Sequence, residues 1–214
     1  MEEKVIVVED DAFTRLTLVA TLRSQGLSVV HEGGSASTAV LAAEELRPHI
    51  AVLDLHLGEG PTGIDVARSL RRQNPMIGIV FLTSYDDPRF LNANLQPPPA
   101  GTQYLTKKSV TSVDVLIAAM KNSLVASSVS PARIQLPAFG HLTDLQVETL
   151  RLVAQGHSNA EIAKRRFVKE KSIERTIARV AKALGISHDT SQNQRVHIAK
   201  VYFRALGLNN DDHQ

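Results

Sequence analysis

Polar residues follow four short apolar runs in the first half of the chain, and their types suit phosphate chemistry. In chain order they are carboxylates, a carboxylate, a hydroxyl and an amine: Glu9-Asp10-Asp11, Asp54, Thr83 and Lys107. Magnesium takes oxygen ligands, and one or two carboxylates with a phosphate form a normal site for it. Beside such an ion a carboxylate can attack a phosphoryl donor, while a hydroxyl and a lysine contact phosphoryl oxygens. The set therefore predicts a Mg²⁺-dependent phosphoryl-transfer site with Asp54 as nucleophile.

These side chains must be positioned by strands, because each follows a run that is typical of a buried strand. The runs are Val5–Val8, Ala51–Leu53, Ile79–Leu82 and Gln103–Thr106. With a further run at Leu27–Val30, five predicted strands alternate with five predicted helices, the fourth a short one from Asp86 to about Leu95. This alternation predicts an α/β doubly wound five-stranded parallel sheet with helices on both faces. The carboxyl ends of such strands meet at one edge, where the polar side chains converge.

Each of these side chains also has a simpler structural explanation. Glu9-Asp10-Asp11 can be acids favoured at a helix N-terminus, Asp54 a loop carboxylate and Thr83 a hydrogen-bonded strand-end hydroxyl. Their coincidence at successive strand ends favours the phosphoryl-transfer interpretation over separate structural roles.

The composition limits the classes of protein and of site. The 214 residues include no cysteine, which excludes disulfides and thiolate metal sites, and the length favours two modest domains. No apolar run reaches the roughly 18 residues of a membrane span, so no membrane partner is predicted. The first residues lead directly into an apolar run, so we predict no signal peptide and, by default, a cytoplasmic location.

The charge is distributed unevenly along the chain. Residues 1–127 have 11 Lys and Arg against 14 Asp and Glu, a net charge of −3. Residues 128–214 have 13 against 8, a net charge of +5. Chance scatter can produce such a difference, but it makes the second half the candidate for contact with a polyanion.

The second half has the pattern of a helix-turn-helix. Its predicted helices run from Thr143 to Gln155, from Asn159 to Arg165, from Glu170 to Leu184 and from Gln194 to Leu206. A short helix, a tight turn and a longer third helix form the helix-turn-helix motif. The polar face of that third helix suits phosphates and base edges in a major groove, and consists of Lys171, Ser172, Glu174, Arg175, Arg179 and Lys182. A solvated amphipathic helix has the same pattern, so spacing alone leaves both readings open.

Residues 1–127 resemble the receiver domain of bacterial two-component response regulators, which has the CheY-like fold. The segments that carry the resemblance are Val7-Val8-Glu9-Asp10-Asp11, Leu53-Asp54-Leu55, Phe81-Leu82-Thr83-Ser84 and Tyr104-Leu105-Thr106-Lys107. The resemblance implies a sensor histidine kinase as partner and Asp54 as the residue that it phosphorylates.

The resemblance also implies roles for the surrounding residues. Glu9, Asp10 and Asp54 bind Mg²⁺ together with the backbone carbonyl of His56. Thr83 and Lys107 contact the phosphate. Thr83 and Tyr104 form a switch pair. In the switch, the threonine moves to the phosphate and the tyrosine turns inward into the space that it leaves.

Residues 142–206 resemble the LuxR/NarL-type helix-turn-helix. The resemblance rests on Leu142-Thr143, Glu148-Thr149-Leu150, Ala154-Gln155-Gly156, Ser158-Asn159-Ala160-Glu161-Ile162-Ala163, and Glu170-Lys171-Ser172-Ile173 through Leu184-Gly185-Ile186. It implies double-stranded DNA as partner and a homodimer in the active state. Candidates for the dimer contact on the last helix are Val196, Ala199 and Tyr202, of which Tyr202 equally suits a core position.

The sequence departs from both families at a few positions. The loop Gly58–Gly63 is one residue longer than usual, and Pro97-Pro98-Pro99 replaces the usual continuation of the helix after the fourth strand. Arg166 occupies a turn position that is usually apolar, and Lys169 stands where a capping Ser or Thr is usual. Glu174 falls where a lysine often contacts DNA, which gives more weight to the neighbouring cations.

The combined prediction is a response regulator that controls transcription, in which phosphorylation of Asp54 governs dimerisation and DNA binding. Its predicted parts are a receiver at 1–127, a linker at 128–140, a DNA-binding domain at 141–208 and a polar tail at 209–214. We expect it to catalyse only its own phosphoryl transfer and dephosphorylation. Two alternatives are a phosphorylation-independent DNA-binding or adaptor protein, and a Mg²⁺-dependent aspartyl-phosphate hydrolase. The hydrolase is disfavoured because His56 stands where such enzymes commonly have a second aspartate.

Overall fold

The computed structural model describes residues 3–92, 95–126, 139–186 and 193–208, which form two units. The first unit contains the described residues up to Thr83 and from Gln96 to Ala126. The second contains Ser84–Leu95 and the described residues from Phe139 onward. Most of the predicted linker and all of the predicted tail lie outside the described residues.

The first unit is built on a parallel sheet of five strands. They are β1 (Lys4–Val8), β2 (Ser28–Gly33), β3 (Ile50–Leu53), β4 (Gly78–Thr83) and β5 (Gln103–Thr106). Their order is β2-β1-β3-β4-β5, and every neighbouring pair is parallel. The predicted fold class is confirmed. The chain order reverses at β1, so the carboxyl ends of β1 and β3 lie side by side at the edge where such sheets bind ligands.

In the part of the first unit that the structure describes, four α-helices cover the sheet: α1 (Ala12–Ser24), α2 (Ala36–Leu46), α3 (Gly63–Gln73) and α4 (Val113–Ala126). Strands β3 and β4 are buried along their whole length, which explains why their sequences are continuous apolar runs without alternation. Helix α3 begins with a capping box, in which the side chains of Thr62 and Asp65 each accept from a backbone N–H of the other residue. This cap fixes where the chain turns after the loop that follows β3.

The predicted short helix after β4 is corrected by the structure. Among the described residues from Asp86 to Leu95, helical geometry is confined to one 3₁₀ turn, Pro88–Phe90. Asp87 caps that turn by accepting from the backbone N–H of Arg89, and proline suits its first position. The side chains of Arg89 and Phe90 contact the second unit, so the stretch folds with that unit instead of extending as a helix.

The described residues of the second unit form four α-helices: α5 (Asp144–Ala154), α6 (Asn159–Arg165), α7 (Glu170–Ala183) and α8 (Gln194–Ala205). Their bounds fall within one residue of the predicted ones. The predicted capping box is present at Thr143, whose side chain accepts from the backbone N–H of Gln146, and Ser158 caps α6. Helices α5, α7 and α8 enclose an apolar core that includes Leu150, Ile162, Ile177 and Ile198.

The core of the second unit also includes Phe90, from the stretch that follows β4. The described residues of Ser84–Leu95 thus pack with the second unit, and the predicted domain bounds, with a receiver at 1–127, stay a prediction. Among the described residues, the structure contains no helix of the length and apolarity needed to cross a membrane.

Candidate functional site

Three carboxylates meet at the carboxyl edge of the sheet. Glu9 and Asp10 follow β1 and Asp54 follows β3, and one oxygen from each lies within 4.8 Å of the others. Glu9 and Asp54 are 1% and 7% exposed, whereas Asp10 is exposed. Two buried carboxylates beside a third repel one another unless a cation lies between them. The oxygen-only donor set is the one that a hard divalent cation prefers.

Lys107 links the two buried carboxylates. Its Nζ atom lies 2.9 Å from Oδ2 of Asp54 and 2.8 Å from Oε2 of Glu9. Burial alone lowers the pKa of Lys107, but hydrogen bonds to Glu9 and Asp54 outweigh it and the pKa is raised overall. The lysine therefore stays charged and supplies one fixed positive charge to the site.

One lysine does not neutralise the whole cluster, and the pKa of Glu9 reflects this. Burial raises the pKa of Glu9 from 4.5 to about 7, against the lowering effect of its hydrogen bond from Lys107, and the charge of Asp54 raises it further. In the metal-free protein this carboxyl therefore holds its proton at a higher pH than an ordinary glutamate does. A cation bound among the carboxylates would remove that cost, so the residues present fit a divalent metal ion.

The backbone around Asp54 is held tightly. Its N–H donates to the carbonyl of Val8 over 2.8 Å, and its Oδ1 accepts from the N–H of Leu55 over 2.6 Å. The first residue of α3, Gly63, donates its N–H to the carbonyl of Leu55 over 2.9 Å. A Cβ at Gly63 would lie 2.0 Å from the carbonyl oxygen of Asp54, so only glycine allows this approach.

His56 and Asp11 complete the acidic edge. His56 Nδ1 lies 3.6 Å from Oδ2 of Asp10, so the imidazole lies beside a carboxylate that we expect to bind metal. The backbone carbonyl of His56 stays a predicted ligand. Asp11 caps α1 by accepting from the N–H of Thr14 over 2.7 Å, so the helix-cap explanation applies to this residue.

The two predicted switch residues lie on neighbouring strands and are both buried. Thr83 ends β4 in register with Thr106, and Tyr104 on β5 is in register with Phe81. The rings of Phe81 and Tyr104 have centroids 6.1 Å apart. The side chain of Tyr104 is therefore buried inside the first unit, and the switch role of Thr83 and Tyr104 stays a prediction.

The six residues predicted to contact DNA lie together on α7, and all are exposed: Lys171, Ser172, Glu174, Arg175, Arg179 and Lys182. The opposite face is buried through Ile173, Ile177 and Val180. Lys169 is the N-cap residue and makes no side-chain capping bond. Helix α7 therefore presents one charged face to solvent while its apolar face fixes it to the core.

The candidates for a dimer contact on α8 have different exposures. Val196 is exposed and Ala199 is half-buried, whereas Tyr202 is 6% exposed and packs against the rings of Phe90 and Phe203. In this structure Tyr202 is a core residue.

Two residues at the acidic edge were missed from the sequence. Arg15 on α1 donates through Nη1 to the carbonyl of Glu9 over 2.5 Å, which fixes the loop that carries the acids. Gly63 closes the site from the other side. A glycine at the start of a predicted helix is a recognisable sign that the helix backbone lies close to another segment of backbone. The contact of the arginine side chain with the loop before its helix leaves no such sign in the sequence.

A doubly wound sheet whose carboxyl edge gathers three carboxylates, two of them paired with one lysine, defines a receiver-type phosphoacceptor domain, here combined with a helix-turn-helix unit. Comparison with family profiles agrees: residues 5–121 match the response regulator receiver domain, and residues 141–196 match the bacterial regulatory proteins of the luxR family. The chain belongs to the response-regulator family. Proteins that combine these two domains are phosphorylation-regulated transcription factors.

Individual relatives have the same organisation. The chain is 26% identical over 200 residues to the response regulator protein VraR of Staphylococcus aureus strain Mu3, covering 89% of this chain and 94% of VraR. A solved RcsB–DNA complex superposes with a TM-score of 0.58 at 19% identity, covering 96% of this chain and 100% of RcsB. RcsB of Salmonella typhimurium gives a TM-score of 0.52 at 22% identity, with coverages of 94% and 99%. At these identities the two structures support the fold.

Proposed function

We propose that Asp54 accepts a phosphoryl group from a sensor histidine kinase and that this event controls dimerisation and DNA binding. The observation that carries the proposal is the bridge from Lys107 to Asp54 and Glu9, at an edge where three carboxylates lie within 4.8 Å. A structural ion pair needs one acid and one base. An excess of buried acids beside a single lysine is instead suited to a bound cation and an incoming phosphate.

Magnesium is the cofactor that fits this donor set. Glu9, Asp10 and Asp54 would hold it together with the backbone carbonyl of His56. When bound, the ion supplies charge neutralisation at the phosphoryl group. The chain's own residues supply the nucleophile, Asp54, and the ammonium of Lys107 that stays near the acceptor oxygen.

In the transfer, an oxygen of Asp54 forms a bond to phosphorus while the phosphorus–nitrogen bond of a phosphohistidine breaks. The electron pair of that bond stays on the imidazole nitrogen of the kinase. Lys107 stabilises the charge on the transferred group, and the hydroxyl of Thr83 donates to one of its oxygens. The product is an acyl phosphate that water hydrolyses, so we expect the chain to catalyse only its own phosphorylation and dephosphorylation.

The output belongs to the helix-turn-helix unit. Helix α7 enters a major groove, where Lys171, Arg175 and Arg179 contact phosphates and base edges. Two chains bind paired half-sites as a homodimer, and α8 supplies the dimer contact. The net charge of +5 on residues 128–214 supports this partner.

Phosphate incorporation tests the proposal. Wild-type chain, Asp54→Asn and Glu45→Gln are incubated with radiolabelled acetyl phosphate and Mg²⁺, Glu45 being an exposed acid on α2. We expect label on the wild type and on Glu45→Gln, its loss on addition of EDTA, and none on Asp54→Asn. Labelling of Asp54→Asn to the same extent as the wild type, or labelling of the wild type that EDTA does not reduce, contradicts the proposal.

A further inference from the structure

The turn that joins α6 to α7 carries a phenylalanine whose side chain the fold leaves in solvent. Phe167 is 96% exposed, and the next residue, Val168, is 45% exposed. A single exposed apolar side chain is common on protein surfaces and needs no explanation by itself. Phe167 is unusual because its backbone has a conformation that bulky residues rarely adopt.

The backbone of Phe167 ends α6 in the left-handed conformation, with a φ of 54°. Its N–H donates to the carbonyl of Lys164 over 3.3 Å, and the N–H of Val168 donates to the carbonyl of Ala163 over 3.0 Å. These two bonds form the Schellman motif, whose left-handed residue is usually glycine because a Cβ is crowded there. Phenylalanine at this position therefore destabilises the turn relative to glycine or asparagine.

The other three α-helices described in the second unit end with the same motif and have glycine in it. Gly156, Gly185 and Gly207 follow the C-cap residues of α5, α7 and α8, and all have positive φ. After each glycine, the N–H of the next residue donates to the carbonyl five positions earlier. Glycine therefore suffices for such a turn, and the fold of this unit does not explain the ring of Phe167.

The charges near Phe167 in the chain indicate which kind of partner covers its ring. Exposed lysines lie on both sides of it, at Lys164, Lys169 and Lys171. Of the two acids in the same stretch, Glu161 is paired with Arg165, and Glu170 is the first residue of α7. An apolar ring among exposed cations suits a polyanion with an apolar group better than it suits an apolar protein surface. The exposed face of α7 continues from this turn, so duplex DNA is the partner that the surface favours.

Duplex DNA offers one apolar group to such a ring in its major groove. Thymine presents a C5-methyl group there, and apolar side chains, phenylalanine among them, contact it. In helix-turn-helix proteins the N-terminal residues of the recognition helix contact base edges. Phe167 lies three positions before the first residue of α7, at the end of the helix that these contacts use.

We propose that Phe167 is a specificity-determining residue whose ring packs against the C5-methyl group of a thymine in the DNA site. The inference rests on the proposed function, because it requires that α7 binds DNA. In the complex, burial of the ring compensates for the strained backbone that Phe167 imposes on the free chain.

The variant Phe167→Asn separates this role from a structural one. Asparagine accepts the left-handed conformation, so the variant should be at least as stable to urea as the wild type. In Mg²⁺ and beryllofluoride, its affinity for a random-sequence duplex should fall about fivefold. The slope of log affinity against log salt should not change, because no phosphate contact is lost. Phe13→Asn removes a ring of the first unit that is 78% exposed, and this control should bind as the wild type does.

A second duplex, with uracil in place of every thymine, identifies the group that the ring contacts. Uracil keeps the base pairing and the phosphate charges but lacks the C5-methyl group. The wild type should bind the uracil duplex about fivefold more weakly than the thymine duplex, whereas Phe167→Asn should bind both equally. If the substitution weakens binding to both duplexes by the same factor, the ring does not contact the thymine methyl group and the proposal is overturned.

The same measurements distinguish failure of the inference from failure of the proposed function. If the wild type binds the thymine duplex and Phe167→Asn binds it as tightly, DNA binding stands and the role of Phe167 is refuted. A variant that is less stable than the wild type also refutes it, because the ring then has a structural role. If neither protein binds duplex DNA, the proposed function fails and the inference fails with it.

Discussion

Nζ of Lys107 lies 2.9 Å from Oδ2 of Asp54, so the nucleophile of the proposed reaction is paired with a lysine. The other carboxylate oxygen accepts from the backbone N–H of Leu55 over 2.6 Å. Each oxygen of Asp54 thus has a fixed partner, which orients the carboxylate before any phosphoryl donor arrives. Such preorganisation is a main source of electrostatic catalysis.

Replacing Lys107 should slow phosphorylation. Lys107→Gln removes the charge that stabilises the transferred phosphoryl group, and we expect the initial rate of labelling from acetyl phosphate to fall about a hundredfold. Lys108→Gln, at the exposed neighbouring residue, is the control and should stay within about twofold of the wild type. An unchanged rate in Lys107→Gln shows that the lysine has only a structural role.

The stability of the metal-free protein should decrease with rising pH because of Glu9. Its pKa of about 7 in the fold exceeds its ordinary 4.5, so the folded chain binds the proton more tightly than the unfolded chain does. The stabilisation is complete below about pH 4.5 and is lost as pH rises through about 7, a change on the order of 3 kcal/mol.

Urea unfolding in EDTA across this range measures the loss. In Glu9→Gln the free energy of unfolding should depend much less on pH, whereas Glu45→Gln should have the same pH dependence as the wild type. Added Mg²⁺ should reduce the loss above pH 7, because the ionised carboxylate then has a cation. A Glu9→Gln profile with the slope of the wild type assigns the pH dependence to other groups.

Gly63 should not tolerate a side chain. In Gly63→Ala the new Cβ would lie 2.0 Å from the carbonyl oxygen of Asp54, so either α3 or the phosphoacceptor loop must move. We expect a loss of about 2 kcal/mol or more in the free energy of unfolding, together with slower labelling of Asp54. The control is Gly26→Asn, at an open left-handed position that asparagine accepts, where the loss should be about 1 kcal/mol or less.

The charged face of α7 should govern DNA binding. Arg179→Ala should weaken binding and reduce the slope of log affinity against log salt by about 1, while Glu174→Gln should strengthen binding by removing repulsion. Arg204, an exposed cation on α8, gives the control Arg204→Ala. Titration of a random-sequence duplex at several salt concentrations measures all three, and equal effects of Arg179→Ala and Arg204→Ala would argue against α7 as the contact helix.

Much of this architecture was predictable because the decisive patterns are local. A strand such as Ile79–Leu82 is apolar throughout because both faces are covered, and Thr143 with Gln146 marks the start of α5 through its own cap. The convergence of Glu9, Asp54 and Lys107 follows from the geometry of parallel strands once those strands are recognised.

The packing of Ser84–Asn92 was not predictable, because it depends on contacts with residues that are distant in sequence. Asp87 and Pro88 are a sound start for a helix, and the sequence predicts one there. The structure has a single turn instead, since Phe90 gains burial beside Tyr202, more than 100 positions further along the chain. The sequence pattern of the segment itself does not indicate that Phe90 contacts Tyr202.

Control of DNA binding by Asp54 is tested by measuring the DNA affinity of the wild type and of Asp54→Ala in Mg²⁺, with and without beryllofluoride. We predict that the mimic raises the affinity of the wild type for a random-sequence duplex and raises its mass in solution from that of a monomer to that of a dimer. Asp54→Ala should show neither change. Equal affinity and mass with and without the mimic, or the same response in Asp54→Ala, would contradict control of DNA binding by this aspartate.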